Sequence, residues 1–256
     1  MLVEKPLAPT IEEGEAIINV CREYGVSLAV GHHRRFSSKV RRLEQIVASG
    51  ELGMLIGGTM VWALAKDKEY YNEAWRTEEG GGPLLINSTH DIDNLRFVTK
   101  LTFTSVYAAA QNSIRGNVVE DSASILLETK EGPSFTYFLS DGAPSPWSYE
   151  VTARENPKYV SYKENCYHLF GSRGSVSFPQ LDVYRYTEEE HGWYEPLQHE
   201  NQQPDMNDPI ARELHHFINV LYKEEKPFVT GEDALETMKV VHAVKRSIKQ
   251  EEKVMI

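Results

Sequence analysis

The chain has 256 residues, of which 27 are lysine or arginine and 38 are aspartate or glutamate, so its formal net charge at pH 7 is −11. This charge argues against a binder of nucleic acids or anionic membranes, because both polyanions would repel the protein. Its composition is ordinary for a globular protein, no apolar run approaches the roughly 20 residues that cross a bilayer, and no secretory signal pattern occurs, so we expect a cytoplasmic protein.

The first 31 residues are predicted to form a strand, a helix and a second strand. Residues 1–3 are a short apolar run, and residues 26–30 are another. Between them, Thr10 with Glu13 three residues later is the signature of a capping box at a helix start. A strand–helix–strand unit places its two strands in parallel. We therefore expect a small parallel sheet at the start of the chain.

The next segment is predicted to contain two helices with one strand between them. The first helix starts at Ser37 or Ser38 and stops at the following glycine. The strand covers residues 54–65, and residues 66–79 form a polar and aromatic loop. The second helix starts near Ser88 and turns its apolar side chains inward.

A series of strands then dominates the sequence. Alternating or β-branched runs, separated by polar or glycine-containing turns, cover residues 104–111, 123–129, 134–139, 149–152, 174–178 and 183–186. Such a series is typical of an antiparallel sheet. Two helices follow a polar loop over residues 198–207, the first capped by Asp208 and the second by Thr230. The predicted fold is α/β (α+β): the tail of a nucleotide-binding parallel sheet, then a domain with a large, mostly antiparallel sheet.

The segment from Gly80 to Asp93 carries the most chemistry. Its run of three glycines allows positive φ and a close approach to a ligand. His90 follows at the predicted helix start with Asp91 beside it, where a histidine is suited to proton transfer near neutral pH. A buried histidine with an aspartate neighbour can equally be structural, so this segment alone leaves both interpretations open.

Two other pairs of residues have chemical potential. Trp75 and Arg76 suit the recognition of a polyol, or they anchor a loop on the sheet. His32 and His33 are adjacent, and neighbours on a strand point to opposite faces, so no metal site is predicted there. The two cysteines of the chain lie far apart without zinc-site spacing, and we expect both thiols to be reduced.

Several short motifs stand in a definite order along the chain. They are Glu4-Lys5-Pro6, Gly31-His32-His33-Arg34-Arg35-Phe36, Leu52-Gly53, Trp75-Arg76 before the glycine run, His90-Asp91-Ile92-Asp93 and Gly231-Glu232-Asp233-Ala234. In this order they resemble the glucose–fructose oxidoreductase/inositol dehydrogenase (Gfo/Idh/MocA) family. The resemblance extends over nearly the whole chain.

The resemblance implies an oxidoreductase of sugars, cyclitols or related polyols that uses NAD or NADP. In that reaction a hydride passes from the substrate to the nicotinamide while a base takes the hydroxyl proton. By resemblance, His90 would be this acid/base, and Lys5 would hydrogen-bond the reacting oxygen and lower the pKa of the histidine. Glu4, Lys5 and Pro6 would be what is left of the cofactor side of the site. Read without the family, Lys5 would be an exposed lysine at a strand end.

The resemblance also implies a substrate side and shows one departure from the family pattern. The implied substrate-binding residues are Trp75, Arg76, Asn87 and Asp91. Many members carry an aspartate four residues before the histidine, where this chain has Ile86. Asn87 beside it can bind a sugar hydroxyl but cannot act as a base at neutral pH. This departure predicts a different set of substrates or a weaker proton relay.

A second departure concerns the cofactor. The family's dinucleotide fingerprint is a glycine-rich turn expected before Glu4, and it does not occur in this sequence. We therefore expect residues 1–31 to be the C-terminal remnant of a Rossmann domain and residues 32–256 to be the substrate and oligomerisation domain. We also expect this chain alone to lack a site for the cofactor's pyrophosphate, which leaves open whether it is active by itself.

Two other functions are compatible with the sequence. The chain could be a non-catalytic scaffold or binding domain for a sugar-like ligand, in which case binding would not depend on His90. It could also be one half of a split dehydrogenase, whose other half would dock against residues 1–31. The expected partners are a small sugar or polyol and further copies of the chain, because the large sheets of family members commonly pair face to face.

Overall fold

The first elements form the small parallel sheet that the sequence predicts. The computed structural model describes residues 1–186, 188 and 192–256. Strand β1 (Leu2–Glu4) pairs in parallel with β2 (Ala29–Gly31), and helix α1 (Ile11–Glu23) connects them. Strand β2 is shorter than the predicted strand over residues 26–30 and is shifted toward the C-terminal end of that range. The reason is that the three residues of β1 pair with residues 29–31.

Helix α1 starts with the predicted capping box. The Thr10 hydroxyl accepts a hydrogen bond from the Glu13 amide at 3.2 Å, and the Glu13 carboxylate accepts one from the Thr10 amide at 3.2 Å. These two bonds satisfy amides that would otherwise lack partners at the helix start. Gly25, with a φ of +63°, follows the helix and supplies the left-handed backbone that ends it.

The middle of the chain supplies two helices and one strand of the large sheet. These elements are a 3₁₀ turn (His33–Phe36), α2 (Ser38–Ala48), β3 (Leu55–Ala63), two further 3₁₀ turns (Lys68–Asn72 and Ala74–Thr77), a π-helical turn (Leu84–Ser88) and α3 (Thr89–Thr99). The Ser37 hydroxyl caps α2 by accepting a hydrogen bond from the Val40 amide at 3.3 Å.

The remaining elements complete the large sheet. They are β4 (Phe103–Gln111), β5 (Ser122–Thr129), β6 (Ser134–Ser140), α4 (Tyr149–Thr152), β7 (Tyr167–Gly171), β8 (Gly174–Phe178), β9 (Asp182–Arg185), β10 (Gln198–Asn201), α5 (Pro209–Leu221), α6 (Gly231–Gln250) and β11 (Val254–Met255). In the described part of the chain, nine strands are ordered β10-β9-β8-β7-β3-β6-β5-β4-β11, and the β3–β6 pair alone is parallel. The predicted α/β fold with a large, mostly antiparallel sheet is confirmed.

The predicted strand over residues 149–152 is wrong, because these residues form the short helix α4. The Ser148 carbonyl accepts hydrogen bonds from both the amide and the hydroxyl of Thr152. A short apolar run with β-branched residues does not distinguish a strand from a buried helical turn. The polar edge strand β10 lies in the predicted loop and is exposed throughout, so no hydrophobic pattern marks it. Strands β7 and β11 were also absent from the prediction.

Helices α2, α3 and α6 cover one face of the large sheet. Their apolar side chains pack against the inward side chains of the strands, which include the fully buried Trp62, Phe135 and Tyr137. The other face carries exposed apolar side chains on three adjacent strands, namely Tyr107, Leu126 and Phe138. The sheet is therefore covered by helices on one face and carries an apolar surface on the other.

The β1–α1–β2 unit is held to the rest of the molecule by α6. A second cluster of buried side chains joins them and includes Leu7, Ile18, Cys21, Leu28, Leu235 and Met238. Gly14 allows α1 to approach closely, because a Cβ there would lie 2.9 Å from Leu235 Cδ1. Helix α6 thus packs on the large sheet and on α1. The domain boundary after residue 31 stays a prediction.

Candidate active site

The glycine run packs a loop against the protein just before the π-helical turn. Gly80 has a φ of +93°, which favours glycine. A Cβ on Gly81 would lie 2.2 Å from the Trp75 carbonyl oxygen, and a Cβ on Gly82 would lie 2.2 Å from Glu120 Oε1. The same carboxylate accepts a hydrogen bond from the Leu84 amide at 2.9 Å. These glycines therefore permit close contacts with protein groups, where the sequence suggested close contact with a ligand.

Two lysines converge on the turn that leads to His90. Lys5 Nζ donates to the Ile86 carbonyl oxygen at 2.7 Å, and Lys66 Nζ donates to Asn87 Oδ1 at 2.9 Å. Residues 86 and 87 lie one helical turn before His90, near the start of α3. The structure thus brings together three of the site residues predicted from the sequence, Lys5, Asn87 and His90. It adds Lys66, which the sequence did not single out.

The electrostatics of this cluster favour charged lysines and a neutral histidine. Burial, followed by the nearby Arg34, lowers the pKa of Lys5 to about 8. Burial likewise lowers the pKa of Lys66 to about 8. Burial, Arg34 and Lys5, in that order, hold the pKa of His90 well below its usual value. At neutral pH His90 is therefore an unprotonated imidazole, while both lysines keep most of their charge.

A second histidine, His33, contacts His90. Their ring centroids are 5.1 Å apart and the rings meet edge to face at 73°. His33 begins the 3₁₀ turn after β2, so it does not lie on a strand as the sequence suggested. Burial and then Arg34 lower the pKa of His33 to about 4, so it is also neutral at pH 7. The buried Nδ1 of His90 has no hydrogen-bond partner among the described residues.

Asp91 lies beneath the site and is bound by protein groups. Its buried carboxylate accepts hydrogen bonds from Arg34 Nη1 at 2.6 Å, from the Tyr137 hydroxyl at 2.6 Å and from the Tyr167 hydroxyl. Arg34 Nη2 also donates to Glu150 Oε1 at 2.8 Å. The resemblance places Asp91 with the substrate-binding residues. In this geometry it holds Arg34, and we assign it a positioning role.

The neighbouring Arg35 repeats this arrangement. Its Nε and Nη2 donate to the two carboxylate oxygens of Asp93 at 2.8 and 2.7 Å. Thr237 donates to Asp93 at 2.9 Å, and Arg35 also pairs with Asp233. Successive arginines of the 3₁₀ turn therefore bind successive inward aspartates of α3. These pairs fix His33 against His90, and no pattern in the sequence predicts them.

Trp75 and Arg76 lie on the loop beyond Lys66. The Trp75 side chain is 52% exposed, so it lies at the surface. Arg76 Cζ is 4.1 Å from the centroid of the Tyr70 ring, and Lys66 Nζ is 4.2 Å from the same centroid. Arg76 Nη1 donates to the Tyr70 carbonyl oxygen at 2.7 Å. Tyr70 thus contacts both Arg76 and Lys66. Lys66 in turn binds Asn87, which lies on the turn before His90.

The predicted cofactor residues lie at the end of the parallel sheet. Glu4 ends β1 and is exposed, and it is followed by Lys5 and Pro6, which are joined by a cis peptide bond. The glycine pair at residues 57–58 lies within β3, and the glycines at 171 and 174 belong to the hairpin of β7 and β8. Neither pair is placed at a helix N-terminus, where a pyrophosphate would bind.

Two kinds of feature do not occur in residues 1–186, 188 and 192–256. No helix in these ranges combines the length and apolarity needed to cross a bilayer. Nor do three histidine, cysteine, aspartate or glutamate side chains in these ranges converge on a possible metal ion.

A match to a known family covers more than half of the chain. The family model described as the GFO/IDH/MocA C-terminal domain matches residues 40–177. This chain belongs to the Gfo/Idh/MocA family. The family assignment made from the short motifs is thereby confirmed.

Individual members resemble this chain over different lengths. The 1,5-anhydro-D-fructose reductase of Ensifer adhaerens is 36% identical over 101 residues, which are 38% of this chain and 30% of the reductase. The D-xylose 1-dehydrogenase (NADP(+)) of Haloarcula marismortui is 22% identical over 256 residues, covering 95% of this chain and 64% of that enzyme. The chain therefore spans less than two thirds of the length of these curated relatives.

A solved structure shows the same fold. The WlbA dehydrogenase from Bordetella pertussis, in complex with NADH and UDP-GlcNAcA, superimposes with a TM-score of 0.74 at 20% sequence identity. The match covers 100% of this chain and 71% of the WlbA chain. At this level of identity the similarity concerns the fold.

Proposed function

We propose that this chain provides the substrate-binding and proton-transfer part of an NAD(P)-dependent oxidoreductase of sugars, cyclitols or related polyols. The observation that carries the proposal is the cluster of Lys5 and the neutral His90 at the turn over residues 86–90. A neutral imidazole beside an ammonium group is what the removal of a proton from a hydroxyl requires. The sugar substrates named for the two relatives support the same reaction class.

The edge of the small parallel sheet suits the nicotinamide end of the cofactor. Ligands of such sheets bind beyond the carboxyl ends of the strands. Lys5 follows the end of β1 directly, and His33 lies two residues after the end of β2. The buried, unpartnered Nδ1 of His90 supports a polar group arriving at this place. Glu4, Lys5 and Pro6 would contact the nicotinamide end, and we assign no pyrophosphate contact to the described residues.

His90, Lys5, Asn87 and Trp75 have different roles in the proposed reaction. When bound, NAD(P) would accept the hydride from the substrate carbon. His90 takes the proton of the reacting hydroxyl on its imidazole, and the ammonium of Lys5 stabilises the negative charge left on the oxygen. The Asn87 amide nitrogen donates to a second hydroxyl while its oxygen stays bound to Lys66. Trp75 would close the site at its exposed rim.

The proposal is tested by offering the chain a panel of sugars and cyclitols together with NAD⁺, NADP⁺ or nicotinamide mononucleotide. The mononucleotide is included because the described residues would contact only the nicotinamide end. Saturable, polyol-dependent reduction of the nicotinamide, followed by absorbance, is the expected result. Polyol binding that is unchanged in His90→Asn, without reduction of any acceptor, would contradict the proposal and favour the non-catalytic binding domain. A fluorescence titration with NADH and NADPH reports separately whether the chain holds the whole cofactor.

Replacing Lys5 with methionine is expected to raise the pKa of His90. The positive charge of Lys5 disfavours the imidazolium, so its removal makes His90 easier to protonate. The acidic limb of the kcat/KM profile then moves to higher pH, and an NMR titration of the His90 ring reports the same shift without turnover. Lys239→Met, which removes a lysine paired with Glu236 on the surface of α6, is the control. An unchanged pKa of His90 in Lys5→Met would contradict this role of Lys5.

We also propose that the exposed face of the large sheet joins copies of the chain. Tyr107 and Leu126 are directly paired across β4 and β5, and Phe138 on β6 extends the same apolar surface. Phe138→Glu is expected to shift the protein to a smaller species in sedimentation velocity, because it places a charge in an apolar contact. Tyr24→Glu, at the exposed end of α1, should leave the sedimentation coefficient unchanged. A wild-type monomer would contradict this proposal.

A further inference from the structure

Three cations at the candidate site donate their hydrogen bonds to neutral oxygens. Lys5 Nζ binds the Ile86 carbonyl, Lys66 Nζ binds the Asn87 amide oxygen, and Arg76 Nη1 binds the Tyr70 carbonyl. The Lys66 side chain is only 10% exposed, and its ion-pair partner Asp141 lies 3.9 Å away, beyond hydrogen-bond distance. Buried charges are costly unless an opposite charge is close.

Arg76 has unused hydrogen-bonding capacity beside Lys66. Its Nε is buried and has no partner among the described residues. Both cations lie about 4 Å from one ring, with Lys66 Nζ at 4.2 Å and Arg76 Cζ at 4.1 Å from the centroid of Tyr70. The chain therefore holds two positive groups on one aromatic side chain, next to the turn that presents Asn87.

The nearby carboxylates form hydrogen bonds with other groups, although Asp141 Oδ1 is buried without a hydrogen-bond partner among the described residues. Asp141 accepts from the Tyr71 hydroxyl at 2.6 Å and lies 3.7 Å from Arg115 Nε. Glu150 accepts from Arg34 at 2.8 Å and from Trp62 Nε1 at 2.7 Å. Turning Glu150 toward Lys66 would break both of its hydrogen bonds, whereas Asp141 uses one oxygen for the Tyr71 hydroxyl.

Asp91 is engaged in the same way beneath the site, and Glu4 is exposed at the end of β1. Within the described structure, Lys66 and Arg76 form no hydrogen bond with any of the four carboxylates, which are Glu4, Asp91, Asp141 and Glu150. The Lys66–Arg76 pair therefore places two cations side by side, without a hydrogen bond from either to a carboxylate of the described residues, in a protein with a net charge of −11.

We propose that the substrate is an acidic polyol, of the sugar-acid class, whose carboxylate binds Lys66 and Arg76 while its reacting hydroxyl lies at Lys5 and His90. This inference rests on the proposed function, since it assigns the substrate class of the same site. The two ends of one small molecule reach both places because Lys5 and Lys66 are bound to the adjacent residues Ile86 and Asn87. A carboxylate accepts bonds from the guanidinium and the ammonium together, and charge-assisted bonds of this kind are strong.

The protonation of Lys66 is consistent with this assignment. Burial lowers its pKa to about 8, and Asp141 offsets this effect only in part. A bound carboxylate would favour the ammonium and move the pKa back toward its usual value. A neutral sugar would leave the buried charge without that compensation.

The test compares ligands that differ mainly in charge. Glucuronate and glucose are titrated into the whole chain by calorimetry, with glucose 6-phosphate as a second anion. Glucuronate is expected to bind about 10- to 100-fold more tightly than glucose, the range that bonds to a charged group provide. Equal affinity for glucuronate and glucose would overturn the proposal. Tighter binding of the phosphate ester than of glucuronate would overturn the choice of a carboxylate.

Variants locate the effect at Lys66. Lys66→Met is expected to abolish the preference for glucuronate and to leave the weak binding of glucose, whereas Lys66→Arg keeps the preference because it keeps the charge. Lys130→Met, at an exposed turn, is the matched control. Since Lys66→Met could disturb the loop, Arg76→Met provides a second variant that should reduce the preference. A preference retained in both methionine variants would overturn the proposal.

Failure of this inference is distinguishable from failure of the proposed function. Reduction of nicotinamide with neutral polyols alone, unaffected by Lys66→Met, would leave the oxidoreductase in place and overturn the acidic substrate. Tight binding of glucuronate that depends on Lys66 but not on His90, without nicotinamide reduction by any polyol or sugar acid, would support the anion site and contradict the oxidoreductase.

Discussion

Replacing His90 with asparagine is expected to lower the rate of polyol oxidation by about 10²- to 10⁴-fold, the usual contribution of a positioned general base. Asparagine keeps a polar side chain of similar reach but cannot accept a proton at neutral pH. Because His90 makes no hydrogen bond at Nδ1 within the described residues, its loss should cost little stability. The KM for the substrate should change far less than kcat, since the proton moves only in the reaction step.

A matched histidine controls for the chemical change. His199 lies on the edge strand β10, where it pairs with Asp182 at 2.8 Å and its side chain is 48% exposed. His199→Asn should leave kcat and KM unchanged. The role of His90 would be refuted if His90→Asn, folded by circular dichroism, oxidised the substrate at the wild-type rate.

The residue patterns of the sequence were sufficient for most of the fold. The capping box at Thr10 and the apolar periodicity of the helices act over three or four residues, so local sequence reveals them. Strand β10 and helix α4 were not predicted correctly, because their formation depends on neighbours distant in sequence. Strand β10, for example, pairs with β9 through exposed polar residues.

The candidate site was only partly predictable for a similar reason. Lys5 and His90 were found because they belong to motifs that resemble a family. Lys66 belongs to no such motif and reaches the site by a hydrogen bond to Asn87, 21 residues away. The Arg34–Asp91 pair joins residues 57 positions apart. Such pairs become visible only in the folded chain, because there successive arginines of the 3₁₀ turn bind Asp91 and Asp93, which are two residues apart on α3.

These ion pairs explain how the histidines are brought together. His33 immediately precedes Arg34, and His90 immediately precedes Asp91, so the bond between Arg34 and Asp91 brings the two rings into edge-to-face contact. The same pair also affects the chemistry, because the charge of Arg34 is the largest influence after burial on the pKa of His90. Stability and the proposed proton transfer therefore depend on the same buried arginine.

Replacing Arg34 with methionine is expected to lower the free energy of unfolding by about 3–5 kcal/mol, the usual cost of breaking a buried ion pair by removing one partner. Arg34 is only 3% exposed, and its loss leaves the buried Asp91 without its cation. Urea denaturation monitored by circular dichroism measures the change through the midpoint, at constant m. Arg22→Met is the control, because Arg22 pairs with Glu232 at 3.1 Å but the two side chains are 66% and 60% exposed. That variant should lose less than about 1 kcal/mol.

The pH dependence of the Arg34→Met variant tests the cause of its instability. Burial raises the pKa of Asp91 above its usual value, and Arg34 opposes this effect. Without Arg34 the folded-state pKa of Asp91 rises further above the unfolded value, so the protonated, neutral form is favoured in the fold. The stability that this proton provides is present at low pH and is lost as the pH rises through the folded-state pKa. The deficit relative to wild type should therefore be smallest in acid and grow toward neutral pH, and a deficit independent of pH would assign the loss to packing rather than to the buried charge.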